Sequence, residues 1–227
     1  MGPTDPDERT RALVAESVRG GDPTAWFDRL YRAAEAGEAV VPWDRRAPHR
    51  LLVDWAQKHR LVDAGIRALV VGCGLGDDAE FIASLAHETV AFDVAEAAVE
   101  GARRRFPESE VQYVVADLLD PRPEWREAFG FVLESLTVQS LPERLHRDAI
   151  RRVTEFVEPG GTLLVISTAR DEQAPVDGPP WPLTRRELDA FANDELEAVR
   201  IDEIPDELQP SVRRWRGEFR RVGSAAA

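Results

Sequence analysis

The chain has 227 residues, 43% of them hydrophobic, which is enough for one sizeable α/β core without a second domain. Its formal net charge of −13, from 42 acidic and 29 basic residues, argues against a nucleic-acid substrate, because affinity for phosphates rests on Lys and Arg. The sequence has no 20-residue apolar span, its N-terminal stretch MGPTDPDERT is too polar for a signal peptide, and its single cysteine, Cys73, cannot form an internal disulfide. We therefore expect one cytosolic domain over residues 1–227 that binds neither nucleic acid nor membrane.

The first 62 residues are expected to form helices and a loop that covers a binding site. The stretch Glu8–Val18 has sparse apolar positions and predicts a short, loosely attached helix. A second helix begins at Asp22-Pro23, because proline is favoured in a first helical turn, and it ends before Gly37. Its apolar stripe consists of Trp26, Phe27, Leu30, Tyr31 and Ala34. Core packing accounts for most of this stripe, and we assign Trp26 to a substrate pocket.

The loop over residues 37–49, GEAVVPWDRRAPH, is too apolar for an ordinary linker. Trp43 within it could close over a ligand and offer the flat face of its indole to a cation. A helix is predicted from His49 to Arg60, and His49 and His59 are interpreted as helix-end residues near the surface.

The centre of the chain is a buried strand that runs into a glycine-rich turn. Ala68–Val71 is a continuous apolar run, and Gly72, Gly74 and Gly76 then let the backbone approach a ligand closely. The helix that follows places free N–H groups beside the turn. Asp77 stands where dinucleotide-binding loops have a third glycine, so a pyrophosphate is disfavoured. Cys73 is interpreted as a small turn residue rather than a nucleophile, because no histidine is near it in sequence.

Two further strands end in acids. The strand over residues 89–92 ends in Asp93, which is placed to bind ribose hydroxyls; the alternative is a capping box at the start of a helix Val94–Phe106. The strand over residues 111–115 is followed by Asp117 and Leu118, which are predicted to hold an adenine amino group and pack on its ring; the alternative for Asp117 is a solvated loop residue.

These strand ends resemble the class I S-adenosylmethionine-dependent methyltransferases over Ile66–Ser167. The segment GEAVVPWDRRAPHRLLVDW is similar to the entry segment of the thiopurine, halide and thiol methyltransferase family, in which a Pro-Trp-Asp loop lies over the cofactor. The resemblance implies S-adenosylmethionine as cofactor, with S-adenosylhomocysteine as product. It also implies a single Rossmann-like sheet of seven strands, mostly parallel with an antiparallel C-terminal strand, with helices on both faces and an N-terminal helical lid. Residues 63–223 would form the core and residues 224–227 a tail. The predicted cofactor-binding residues are Trp43, Gly72, Cys73, Gly74, Asp93, Val94, Asp117, Leu118 and Glu134.

The substrate side is predicted from two loops. Glu134–Pro142 follows the fourth strand, Phe129–Leu133, at the edge of the sheet where ligands bind. The thiopurine group carries an Asp-Arg pair that resembles Glu134-Ser135, and the missing arginine argues against a thiopurine-like anionic substrate. Residues 171–182 form a proline-rich loop, with Trp181 as a candidate wall of the pocket or a hydrophobic anchor. The predicted pocket residues are Trp26, Ser135 and Trp181.

The rest of the chain predicts a helix Glu143–Phe156, a strand Thr162–Ser167, a capping box at Thr184, and antiparallel strands Leu196–Ile201 and Val212–Arg221. His146 is interpreted as a solvated helix residue rather than a general base, and the run Arg103–Arg105 as a solvated face.

The predicted function is methyl transfer from S-adenosylmethionine to a small-molecule acceptor, preferably a thiol or another soft nucleophile. The reaction would be an in-line displacement in which positioning supplies about 7–11 kcal/mol and a general base about 3–5 kcal/mol. No catalytic residue is assigned, no metal-binding spacing is present, and monomer and dimer remain open. The alternatives are an oxygen or nitrogen acceptor, a non-catalytic S-adenosylmethionine-binding protein and a nicotinamide oxidoreductase.

Overall fold

The structure is a computed structural model that describes residues 12–13, 15–17, 20, 22–59, 65–85, 88–176, 178–207 and 209–223. The predicted helix Glu8–Val18 lies largely outside these residues, and the predicted tail 224–227 lies entirely outside them. Within the described ranges, no helix has the length and apolar character needed to cross a bilayer.

Helices and strands alternate through most of the described chain, as the sequence predicts. The helices are α1 (Ala25–Glu35), α2 (Arg50–His59), α3 (Asp77–Ala83), α4 (Glu96–Arg105), α5 (Glu143–Glu155) and α6 (Arg185–Asp189). The strands are β1 (Arg67–Val71), β2 (Glu88–Asp93), β3 (Gln112–Val115), β4 (Phe129–Ser135), β5 (Val157–Thr168), β6 (Leu196–Pro205) and β7 (Arg213–Arg221). Two short 3-10 helices lie at Pro123–Trp125 and Val138–Ser140.

The seven strands form one sheet in the order β3-β2-β1-β4-β5-β7-β6. The first five pair in parallel, while β7 pairs antiparallel with both β5 and β6. This arrangement confirms the predicted Rossmann-like methyltransferase sheet. The strand order reverses at β1, which has β2 on one side and β4 on the other, and such a reversal opens a crevice at the carboxyl ends of the strands.

The core consists mainly of two apolar layers, one on each face of the sheet, because successive side chains of a strand point to opposite faces. In β1, Leu69 and Val71 belong to one layer, while Ala68 and Val70 belong to the other. Burial on both faces explains why this strand is an uninterrupted apolar run and not an alternating one.

The starts of α4 and β5 differ from the predictions. The helix predicted from Val94 begins as α4 at Glu96, with Ala95 at the N-cap and no side-chain cap, because the carboxylate of Asp93 has other partners. Strand β5 begins at Val157, before the predicted proline-glycine turn, and Gly160 and Gly161 lie within the strand. The capping box at Thr184 is confirmed: its hydroxyl accepts the amide N–H of Glu187 at 3.2 Å, and its own amide donates to Glu187 Oε2 at 2.8 Å.

The prediction that His146 is solvated is wrong, because this side chain is only 2% exposed. Its Nε2 lies 2.8 Å from the carbonyl oxygen of Leu141 and its Nδ1 lies 2.7 Å from Glu187 Oε1. Burial raises the pKa of Glu187, but hydrogen bonds from His146 and Thr184 outweigh it and lower this pKa to about 2. His146 therefore connects α5 to α6 inside the protein.

Candidate active site

A cavity of about 820 Å³ lies at the carboxyl ends of β1, β2, β3 and β4. Its floor is formed by the loops that leave these strands, and its cover by α1 and the loop over residues 37–49. The position is the one expected from the reversal of strand order at β1.

Most of the predicted site residues meet in this cavity. The ten that line it are Trp26, Trp43, Gly72, Cys73, Gly74, Asp93, Val94, Asp117, Leu118 and Ser135. The other two, Glu134 and Trp181, do not contribute to its wall. Their roles as ligand-binding residues remain predictions, and the geometry below shows what each is placed to do.

The glycine loop is bare on the cavity side because its backbone leaves no room for side chains. Gly72, Gly74 and Gly76 all have positive φ, at 63°, 52° and 96°. A Cβ at Gly72 would lie 2.3 Å from Thr137 Oγ1, and one at Gly76 would lie 2.4 Å from the hydroxyl oxygen of Tyr113. Larger residues here would therefore displace the loop from its neighbours and narrow the cavity floor.

Cys73 lies between these glycines and is buried. Burial, reinforced by the nearby charge of Asp93, raises the pKa of the Cys73 thiol well above its usual value. A protonated thiol is a poor nucleophile, which agrees with the interpretation of Cys73 as a small turn residue.

Asp93 connects the end of β2 to the glycine loop. Its Oδ2 accepts the amide N–H of Gly74 and its Oδ1 accepts that of Ala95, both at 2.9 Å. Burial raises the pKa of this carboxyl, while these backbone hydrogen bonds oppose the shift. Because each carboxylate oxygen has a second lone pair, Asp93 can also accept hydrogen bonds from a ligand's hydroxyl groups.

Asp117 and Leu118 follow β3 on the next loop along the sheet edge. Asp117 Oδ1 accepts the amide N–H of Leu119 at 2.8 Å, and Leu118 is 6% exposed and packs on the core. The carboxylate therefore organises its own turn while facing the cavity.

Aromatic side chains from α1 and the covering loop form one wall of the cavity. The indole N–H of Trp43 donates to the hydroxyl oxygen of Tyr31 at 2.8 Å. The ring of Trp26 stacks on Phe27 at 4.0 Å and meets Trp43 edge-on at 5.9 Å. We name this group, Trp26, Phe27, Tyr31 and Trp43, the aromatic wall.

An ion-pair cluster holds the covering loop to the glycine loop. Arg105 lies 2.7 Å from Asp77 Oδ2, and its other terminal nitrogen lies 2.7 Å from Asp44 Oδ2. All three side chains are between 17% and 22% exposed. The prediction that Arg105 belongs to a solvated face is therefore wrong, since it bridges two segments of the site.

Acidic side chains surround the glycine loop. Asp77, Asp78 and Asp93 line the cavity, and Asp78 Oδ1 accepts the amide N–H of His49 at 2.6 Å. Burial raises the pKa of Asp78. Three carboxyls around one loop oppose the binding of a pyrophosphate and favour a ligand that carries positive charge.

Glu134 is fully buried, behind the cavity wall. Its Oε1 accepts the amide N–H groups of Thr137 and Val138 at 2.8 and 2.9 Å, while its Oε2 has no hydrogen-bond partner in the described chain. Burial raises the pKa of this carboxyl to about 7. Glu134 thus shapes the loop after β4, and the neighbouring Ser135 faces the cavity.

Trp181 lies in a hydrophobic cluster with Trp26 and Leu30 instead of facing the cavity. Its amide N–H donates to the carbonyl oxygen of Gln139 at 2.6 Å, which fixes the proline-rich loop to the loop after β4. Pro179 and Pro180 of the same loop line the cavity. The position of Trp181 corresponds to the hydrophobic anchor, the alternative interpretation of this residue.

Several residues that line the cavity were not predicted to do so, among them Arg45, Gln139, Arg214 and His49. The prediction that His49 lies near the surface is wrong, since it is 7% exposed. The one sign in the sequence that His49 lines the cavity was its position at the end of the loop that contains Pro-Trp-Asp.

Comparison with known proteins decides the family. A sequence profile of the thiopurine S-methyltransferase family matches residues 33–223. The chain belongs to this family. It is therefore an S-adenosylmethionine-dependent methyltransferase, as the strand-end motifs predicted.

Two plant proteins and one bacterial structure illustrate the similarity of this family member. It is 25% identical over 179 residues to probable thiol methyltransferase 2 of Arabidopsis thaliana, covering 78% of this chain and 73% of that protein. It is 25% identical over 210 residues to thiocyanate methyltransferase 1 of Brassica oleracea, covering 88% and 84%. The N-methyltransferase NodS of Bradyrhizobium japonicum, solved with S-adenosyl-L-homocysteine, superimposes with a TM-score of 0.65 at 21% identity over 86% of this chain and 99% of that one. The last comparison shows the shared fold.

Proposed function

We propose that this methyltransferase transfers the methyl group of S-adenosylmethionine to a small thiol or another soft nucleophile. The observation that carries the proposal is that one cavity combines the aromatic wall with the carboxyls of Asp93 and Asp117 at the strand ends. The names of the two plant relatives, thiol methyltransferase and thiocyanate methyltransferase, support the same acceptor class.

The residues of the cavity fit the parts of this cofactor. Asp93 would accept hydrogen bonds from the ribose hydroxyls, and Asp117 would accept one from the adenine amino group. The bare glycine loop leaves room for the cofactor's backbone, with Cys73 and Val94 beside it. The carboxyls of Asp77 and Asp78 suit a ligand that has no phosphate.

The aromatic wall suits the reacting end of the cofactor. S-adenosylmethionine supplies, when bound, a methyl group on a positively charged sulfur. The faces of Trp26, Phe27 and Trp43 would attract this charge and exclude water from the same space. The covering loop would hold the acceptor in line with the carbon–sulfur bond, and such positioning is worth about 7–11 kcal/mol.

A soft nucleophile needs little more than this positioning. A thiolate would arrive without a proton to remove, so the side chains of the cavity would only have to align it with the methyl carbon and exclude water. The electron pair of the broken carbon–sulfur bond would stay on the cofactor's sulfur. Cys73 would stay protonated because burial raises its pKa, and Asp78 is occupied by the His49 amide. Cys73 would therefore not serve as a general base, in keeping with an acceptor that arrives deprotonated.

The test is an acceptor screen with detection of S-adenosylhomocysteine. Purified protein is incubated with S-adenosylmethionine and with small thiols, thiocyanate, phenols and amines, and an Asp93→Ala variant serves as the cofactor-binding control. We expect turnover with thiols or thiocyanate that the control loses. Turnover with phenols or amines alone would show that the acceptor is an oxygen or nitrogen nucleophile and not a thiol. Cofactor binding without turnover on any acceptor would indicate a non-catalytic S-adenosylmethionine-binding protein.

A further inference from the structure

His49 is a buried imidazole at the wall of the cavity. It lies at the end of the covering loop, directly before α2, and it lines the cavity although it is only 7% exposed. Its amide N–H donates to Asp78 Oδ1, and the Ser135 hydroxyl hydrogen-bonds to the same carboxyl and lowers its pKa. His49 is thereby held close to the end of β4.

The protonation state of His49 follows from its hydrogen bonds. Its Nδ1 accepts the amide N–H of Leu51 at 3.2 Å and so must keep its lone pair. The neutral ring therefore carries its one hydrogen on Nε2. Burial lowers the pKa of His49 to about 4, the charges of Arg45 and Arg214 add to this shift, and Asp206 opposes it.

The Nε2–H group of His49 is left without a partner. It is enclosed, and no group in the described ranges forms a hydrogen bond with it. A buried donor without an acceptor is unfavourable, so it marks a place where a ligand atom with a lone pair would be stabilised.

We propose that the Nε2–H of His49 donates a hydrogen bond to the accepting atom of the substrate and so selects acceptors that arrive as anions. The inference deepens the proposed function and rests on it. A ring whose only free nitrogen is a donor cannot remove a proton, so this position favours a thiolate or a thiocyanate ion, which needs no deprotonation and accepts a stronger hydrogen bond than a neutral thiol or alcohol. Arg45 and Arg214 also line the cavity, where Arg214 pairs with Asp206 at 2.9 Å and Arg45 lies 3.9 Å from the same carboxylate.

Two substitutions separate this role from the structural role of His49 as a helix cap. His49→Asn keeps an oxygen near the position of Nδ1, and can therefore still accept the Leu51 amide, but it has no donor at the position of Nε2. His49→Gln places an amide donor near Nε2 and loses the cap. We expect His49→Asn to keep the wild-type melting temperature and to lose about ten- to a hundredfold in kcat/KM for a thiolate, mainly through KM, because a hydrogen bond to a charged group is lost. We expect His49→Gln to retain most of kcat/KM at a lower melting temperature.

A binding measurement gives the same answer without turnover. Sodium thiocyanate is titrated into the S-adenosylhomocysteine complex of each variant and followed by tryptophan fluorescence. The proposal predicts binding to the wild type and to His49→Gln, binding weakened about tenfold or more in His49→Asn, and equal S-adenosylhomocysteine affinity in all three. Equal thiocyanate affinity in wild type and His49→Asn, or no thiocyanate binding to the wild type, would overturn it. Thiocyanate binding that depends on His49 without any methylation of thiols or thiocyanate would instead overturn only the proposed function.

Discussion

Arg105 holds Asp44 through two hydrogen bonds, from Nη1 to Oδ1 at 3.0 Å and from Nη2 to Oδ2 at 2.7 Å. The two residues are 61 positions apart in sequence, so the pair ties the last turn of α4 to the loop that carries Trp43. The contact with Asp77 extends this tie to the glycine loop. Arg105 therefore holds the cover of the cavity in place although it does not line the cavity itself.

Arg105→Ala is expected to weaken S-adenosylhomocysteine binding by about tenfold, because the loop with Trp43 loses its charge-assisted hydrogen bonds. Isothermal titration calorimetry measures the change. Arg104→Ala is the matched control, since Arg104 lies on the same helix and pairs with the exposed Glu35 and Glu100. Equal losses in the two variants would show that helix charge, and not the tie to Asp44, controls affinity.

Asp93→Ala is expected to lower cofactor affinity by about ten- to a hundredfold, because the charged carboxylate would no longer accept hydrogen bonds from the ribose hydroxyls. The variant also loses the bonds to the amides of Gly74 and Ala95, so its melting temperature should fall. Titration calorimetry is therefore done below the variant's melting range, with Asp120→Ala as a control on the neighbouring loop. A folded Asp93→Ala protein with wild-type affinity would refute the ribose assignment.

Trp43→Phe keeps a ring in the aromatic wall but removes the hydrogen bond to Tyr31. We expect S-adenosylhomocysteine affinity to fall severalfold while thermal stability changes little. Trp125→Phe should do the opposite, because Trp125 is 3% exposed and packs on Phe92 and Phe156 in the core. The comparison uses calorimetric affinity and melting temperature for both variants. A large loss of stability in Trp43→Phe would indicate that this indole is a core residue.

Glu134 predicts a specific pH dependence of stability. Its folded pKa is raised to about 7, above the usual value near 4.5, so the folded state binds a proton more tightly than the unfolded state. This contribution is fully present below about pH 4.5 and is lost as the pH rises through 7. It amounts to about 3 kcal/mol, since one pKa unit corresponds to about 1.4 kcal/mol.

The variant Glu134→Gln should therefore lose less stability than the wild type between pH 5 and pH 8. Urea unfolding at both pH values measures the difference, and the exposed Glu124→Gln serves as the control. Parallel pH profiles for wild type and Glu134→Gln would mean that the buried carboxyl does not titrate in this range.

The floor of the cavity could be predicted from the sequence because it depends on short-range patterns. The apolar run of β1 identifies a strand buried on both faces, and Asp93 and Asp117 follow strands that lie beside it in the sheet. The carboxyl ends of neighbouring parallel strands lie at one edge, so residues far apart in sequence come together there. Knowledge of the strand order was enough to place them.

The side chains that hold the surrounding segments together could not be predicted in the same way, because their environment depends on distant partners. Arg105 and His146 both lie in charged stretches that are typical of a solvated helix face. Each is hydrogen-bonded to a carboxylate from a distant segment, Asp44 for Arg105 and Glu187 for His146, at sequence separations of 61 and 41 residues. The environment of His49 was also hard to predict. Its imidazole caps a helix at a position where a serine or threonine is common.

Strand β7 lies inside the sheet although it follows both of its neighbours in the sequence. It is hydrogen-bonded to β5 along one side and to β6 along the other. During synthesis on the ribosome, β5 and β6 emerge with open edges and no direct contact, and both wait for Arg213–Arg221 before they can pair. A premature stop codon ahead of Arg213 would leave those edges permanently unpaired. We therefore expect chains truncated at this point to aggregate and not to form a shortened active enzyme.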